Sequence, residues 1–136
     1  PAALGAQLAD RDRLVIACVG DGSYMFANPV TCHQIAEALG LPILTIIKNN
    51  AMWNAVRRSV VKGYPDGAAV RQNRIPLTSL EPLPDFTQVA RASRAHAERI
   101  ERGADLPAAL RRAVEIIRTE RRQVLLDLSV AASDDH

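Results

Sequence analysis

A chain of 136 residues that is 48% hydrophobic and 24% charged is a single domain with enough apolar mass to bury a core. Its 17 basic and 15 acidic residues leave a net charge of +2, and they are interspersed without a basic block that carries aromatics, which argues against a nucleic-acid partner. No apolar run is long enough to span a membrane, no secretory leader is visible, and two cysteines are too few for a disulfide framework, so a cytoplasmic location is the default expectation.

Residues 2–9, AALGAQLA, read as a helix with no capping residue before it, a pattern that suggests a piece of something larger. LVIACV at 14–19 lacks alternation and is rich in branched residues. It predicts a strand buried on both faces of a parallel sheet, with Cys18 as a small core residue. Residues 20–27 read as loop. Asn28 followed by Pro29 predicts a capped helix start, with Val30, Ile35 and Leu39 along one face, Cys32 and His33 structural, and Gly40 ending the helix.

LPILTIIKNN at 41–50 predicts a second buried strand, and a short helix follows over 53–61. Residues 63–84 are rich in Gly and Pro and read as turns. A helix over 85–92, a short strand at 97–101, a helix over 106–118 capped by Asp105, and a third buried strand at 123–130 complete the chain. Strands alternating with helices predict an α/β fold: a doubly wound, mainly parallel sheet with helices on both faces.

In such sheets, ligands bind beyond the carboxyl ends of the strands. GDG at 20–22 and NN at 49–50 both fall there, with 26 residues between Gly22 and Asn49. Either motif alone is a common turn or loop sequence. As a pair they place an anionic oxygen on Asp21 and an amide oxygen on Asn50 at neighbouring strand ends, a donor set suited to Mg²⁺ or Ca²⁺. Gly20 and Gly22 would allow close backbone approach and positive φ. The N–H groups of Gly22 and Ser23 and the Ser23 hydroxyl would take phosphate oxygens, with the following helix N-terminus favouring the same charge.

These motifs, with PAALGAQLA, RLVIACVGDGSYMF and LPILTIIKNNAMWNAV around them, resemble the C-terminal cofactor-binding domain of thiamine diphosphate enzymes. The likeness is closest to the acetolactate synthase group, with its benzoylformate decarboxylase-like and other 2-oxo-acid decarboxylases and carboligases. The resemblance implies thiamine diphosphate and Mg²⁺ as cofactors. It implies Asp21 and Asn50 as side-chain Mg²⁺ ligands, Met52 as the donor of a backbone carbonyl, and Gly20, Gly22 and Ser23 as the diphosphate turn. Asn49 would order the loop. Trp53 stands where relatives often carry Tyr, and packing and cofactor contact are both open for it. Ala55 and Ser59 fall on the stretch that approaches the substrate pocket.

The resemblance also implies an enzyme, a lyase or transferase acting on a 2-oxo acid, and a homo-oligomer. Its catalytic glutamate lies on an N-terminal pyrimidine-binding domain that nothing in residues 1–136 matches. The chain is therefore expected to be one thiamine diphosphate-binding domain, truncated at its N-terminus, lacking the pyrimidine-binding and middle domains and inactive alone. A nucleotide- or flavin-binding module is the alternative. It lacks support because no G-x-G-x-x-G follows the first strand and no P-loop Lys follows GDG. A non-functional truncated domain is a further alternative. Arg57, Arg58 and Lys62 would lie near the mouth of the site, to attract an anionic substrate or to form a solvated helix face. SRAHAER at 93–99 departs from relatives, which usually show glycines there, so a different turn is expected.

Overall fold

The computed structural model describes residues 1–132. In chain order the elements are α1 (Ala2–Ala9), β1 (Ile16–Gly20), α2 (Asp21–Phe26), α3 (Pro29–Ala38), β2 (Leu44–Asn49), α4 (Asn54–Gly63), α5 (Ala68–Arg71), α6 (Phe86–Arg91), β3 (His96–Ile100), α7 (Leu106–Glu120) and β4 (Val124–Ser129). The four strands form one parallel sheet in the order β1-β2-β4-β3. Helices cover both faces, so the α/β expectation holds.

Because side chains alternate along a strand, the register assigns each face its packing. Leu44, Val124, Leu126 and Ile100 meet Ala109, Ala113 and Ile117, which recur every four residues along α7. On the opposite face, Ile47, Leu125 and Ala97 pack against Tyr24 of α2 and Phe86 and Ala90 of α6. A third cluster joins Leu4 of α1, Ala36 of α3, Leu41 and Ile43.

The structure corrects several expectations. β1 is an edge strand, and α7 does not reach across to it. Ile16 is therefore 48% exposed, and Cys18, on the same face, is exposed rather than in the core. Residues 21–26 are not loop but the short helix α2, with Asp21 in its first turn where a carboxylate suits the helix dipole. Asn28 makes no side-chain cap. It takes the left-handed conformation (φ 55°) that turns the chain into Pro29.

Helix α3 is rotated from the expected face. Val30, Ile35 and Leu39 are exposed, while His33 and Ala36 are buried. Two hydrogen-bond partners for the imidazole make this orientation possible. Gly40 closes α3 as expected, at φ +59°, with Leu41 N–H donating to Ala36 O and Gly40 N–H to Glu37 O.

Asp105 likewise makes no cap hydrogen bond, because its carboxylate is taken by Arg102. Asp85 does cap α6, accepting from Thr87 N–H and Gln88 N–H. In the 93–95 turn, Arg94 itself takes the left-handed conformation at φ 59°.

Candidate functional site

β1 and β2 run parallel with Gly20 beside Lys48, so GDG and NN emerge at the same edge of the sheet. There Gly20, Asp21, Gly22, Ser23, Asn50, Met52 and Trp53 line one open cleft. The structure thus brings every residue that the sequence nominated for the cofactor or metal into one place.

Asp21 organises this cleft. Its side chain is buried, with Oδ1 accepting from Gly22 N–H at 2.8 Å. Its Oδ2 accepts from Asn50 N–H at 3.0 Å and Met52 N–H at 3.2 Å. One carboxylate therefore clamps the start of α2 to the loop after β2. Asn50 Oδ1 accepts from the same Met52 N–H at 3.3 Å. The side-chain oxygens gathered here are a carboxylate and an amide, both hard donors suited to a hard cation. Among the described residues no cluster of three His, Cys, Asp or Glu side chains exists that would hold a metal by itself. A cation here needs oxygens from elsewhere to complete its shell, as Mg²⁺ does with substrate phosphates.

The glycines act differently from expectation. Gly20 is extended (φ −79°, ψ 159°) and Gly22 is helical, so neither uses positive φ. Gly22 is required for space: a Cβ there would meet the Trp53 ring at 2.8 Å. Trp53 is therefore a packing partner of the GDG turn. Gly22 N–H is engaged by Asp21 Oδ1, while Ser23 is exposed at the rim.

The remaining nominations divide. Ala55 lines the cleft; Ser59 lines a neighbouring hollow on α4, and its hydroxyl donates to Ala55 O. Arg58 and Lys62 share that neighbouring hollow, and Arg57 lines another against α5, so none of the three lines the cleft itself. His96 bonds Glu98 at 2.8 Å, away from the site. Cys32 donates to Ala27 O.

Sequence reasoning missed two residues. Lys48 is exposed, lines the cleft and makes no ion pair among the described residues. Its signal was a lone cation ending an apolar strand just before NN. Asp127 is 1% exposed within β4, and its Oδ1 accepts from Asn49 Nδ2 at 2.9 Å. Burial pushes its carboxyl above the usual range, against the opposing pull of the Asn49 bond. Its signal was one acid inside the apolar run VLLDLSV.

Among the described residues, no helix is long and apolar enough to cross a membrane. The chain is 29% identical over 136 residues to the Escherichia coli acetolactate synthase isozyme 3 large subunit, covering 98% of this chain and 22% of that protein. The structure resembles a Rhodococcus jostii thiamine diphosphate-dependent 4-hydroxybenzoylformate decarboxylase with a TM-score of 0.81 at 25% identity, covering 99% of this chain and 23% of the other. The chain thus spans less than a quarter of the length of each. Residues 1–128 match the thiamine pyrophosphate enzyme C-terminal TPP-binding domain, and the chain belongs to that family.

Proposed function

We propose that this chain anchors the diphosphate of thiamine diphosphate through Mg²⁺, as one domain of a 2-oxo-acid decarboxylase or carboligase of the acetolactate synthase kind. The observation that carries this reading is the convergence of Asp21, Asn50 and Met52 on one cleft at the ends of β1 and β2. Asp21 and Asn50 would hold the cation by side-chain oxygens and Met52 by its carbonyl. Ser23 would hydrogen-bond a phosphate oxygen, and Lys48 would offset diphosphate charge that Mg²⁺ leaves uncompensated.

The bound cofactor supplies the chemistry of cleaving or forming a carbon–carbon bond beside a carbonyl, and this chain supplies binding and orientation. On this reading an N-terminal pyrimidine-binding domain contributes the catalytic glutamate, and residues 1–136 are inactive alone. A homo-oligomer fits the apolar surface that Leu8, Phe26, Val30, Ile35 and Leu39 expose on α1–α3. Two free cysteines fit a reducing cytoplasm.

Calorimetric titration of thiamine diphosphate with Mg²⁺, beside Asp21→Ala, tests the reading. Magnesium-dependent binding that Asp21→Ala abolishes supports it. Equal binding by both proteins sinks the role of Asp21. Binding of NADH or flavin in place of thiamine diphosphate would move the chain to the nucleotide-binding class.

A further inference from the structure

β4 lies between β2 and β3, a position that favours an unbroken apolar strand. Asp127 breaks that run. It is 1% exposed, its Oδ2 has no hydrogen-bond partner among the described residues, and Oδ1 has one, Asn49 Nδ2. Burying a carboxylate is costly, and β4 gains nothing from it as a strand. The reason for it lies across the sheet.

Asn49 is 3% exposed and uses both ends of its amide. Nδ2 donates to Asp127, and Oδ1 accepts from Ala51 N–H at 3.1 Å. A flipped amide would set oxygen against carboxylate and N–H against N–H, so an acceptor at 127 decides which way Asn49 faces. The bond from Asn49 Oδ1 supports Ala51 at φ 58°, a left-handed conformation that is unfavourable for alanine. The flanking amides of Asn50 and Met52 then reach Asp21 Oδ2.

We infer that Asp127 is a positioning residue for the 49–52 loop: its carboxyl orients the Asn49 amide, and Asn49 holds the turn that brings Asn50 and Met52 to Asp21. Burial raises the carboxyl pKa, in keeping with a group retained at a cost. The Mg²⁺ arm of the test rests on the proposed function; the hydrogen-exchange arm does not.

The test compares the full chain with Asp127→Asn, Asp127→Leu and Asn49→Ala. The first readout is amide hydrogen exchange without metal. Asp127→Leu should speed exchange at Ala51 and Met52 about tenfold while Ile47 and Leu126 stay protected. Asp127→Asn keeps an acceptor for Asn49 and should stay within about threefold of the unaltered chain. Asn49→Ala breaks the same link from the other side and should match Asp127→Leu.

The second readout is magnesium-dependent thiamine diphosphate affinity, expected to fall about tenfold in Asp127→Leu and little in Asp127→Asn. Unchanged protection at Ala51 and Met52 in Asp127→Leu overturns the inference, as does an Asp127→Asn loss equal to that of Leu. If Asp127→Leu does not fold, unchanged protection in Asn49→Ala overturns it equally. Altered exchange together with no cofactor binding by the unaltered chain would sink the proposed function and leave the positioning role standing.

Discussion

The Trp53 indole closes over Gly22 so tightly that a methyl carbon at residue 22 would stand 2.8 Å from Cε3 and 3.0 Å from Cδ2. Gly22 is helical, so alanine there meets no backbone penalty, only the ring. Gly22→Ala should destabilise the chain by about 1–3 kcal/mol through overpacking. In a Trp53→Ala background the same change should cost almost nothing, because the obstructing ring is gone. Urea denaturation of the four proteins in this double-mutant cycle measures the coupling. Additive effects would show that the ring yields freely.

Lys48 stands cross-strand from Gly20 at the cleft, one residue before the NN pair. Its charge acts on an anionic ligand through solvent and is therefore open to screening. Lys48→Gln should weaken magnesium-dependent thiamine diphosphate binding by about fivefold at low ionic strength, and the difference should shrink toward nothing at high salt. Thiamine without phosphates should not distinguish the two proteins. A salt-independent loss would point to packing by the lysine stem instead.

Asp85 caps α6 with Oδ1, which accepts from Thr87 Oγ1 at 2.6 Å and Thr87 N–H at 2.9 Å. The Thr87 hydroxyl is the main reason its carboxyl sits below the usual range, and the capped amides add to it. A depressed carboxylate contributes stability above its unfolded value near 3.8, and that contribution is lost as pH falls through the folded value. Asp85→Ala should cost about 1 kcal/mol at neutral pH, and the gap to the unaltered chain should narrow in acid. Equal chemical stability at neutral pH would show that packing of Phe86 alone sets the start of α6.

What the sequence revealed follows from how local each signal is. Gly40, Pro29 and the apolar run 43–47 act within a few residues, and the elements they mark are where they were expected. GDG and NN were legible as one site because each ends a strand, and a parallel β1–β2 pair brings strand ends together. The exposure of Cys18 was not legible, because it depends on the strand order β1-β2-β4-β3 and on the short reach of α7 across that sheet. The rotation of α3 was hidden because burial of His33 depends on Gln123, 90 residues away. Asp127 and Asn49 are 78 residues apart and meet only in the folded sheet.

That buried histidine gives the chain an acid-sensitive link. Gln123 Nε2 donates to His33 O and Ser93 O, which turns its Oε1 toward the ring. His33 Nδ1 must then carry the proton and donate to Oε1 at 2.8 Å, leaving Nε2 to accept from the Tyr24 hydroxyl, also at 2.8 Å. A second proton on Nε2 would abolish that acceptance inside the core. Burial pulls the His33 pKa below 6.5, against the opposing effect of the Gln123 bond. The unfolded chain therefore binds this proton more readily than the folded one. The stability is fully present above pH 6.5 and is lost as pH falls toward the folded value. Asp127, whose carboxyl is raised by burial, changes in the opposite sense as pH falls, so total stability alone would mix the two groups. His33→Gln isolates the effect, since it removes the titration at 33 and leaves Asp127 in place. Urea midpoints from pH 7.5 to 5 should fall more steeply for the unaltered chain than for His33→Gln. Parallel slopes would show that the imidazole takes up its proton without leaving its pocket.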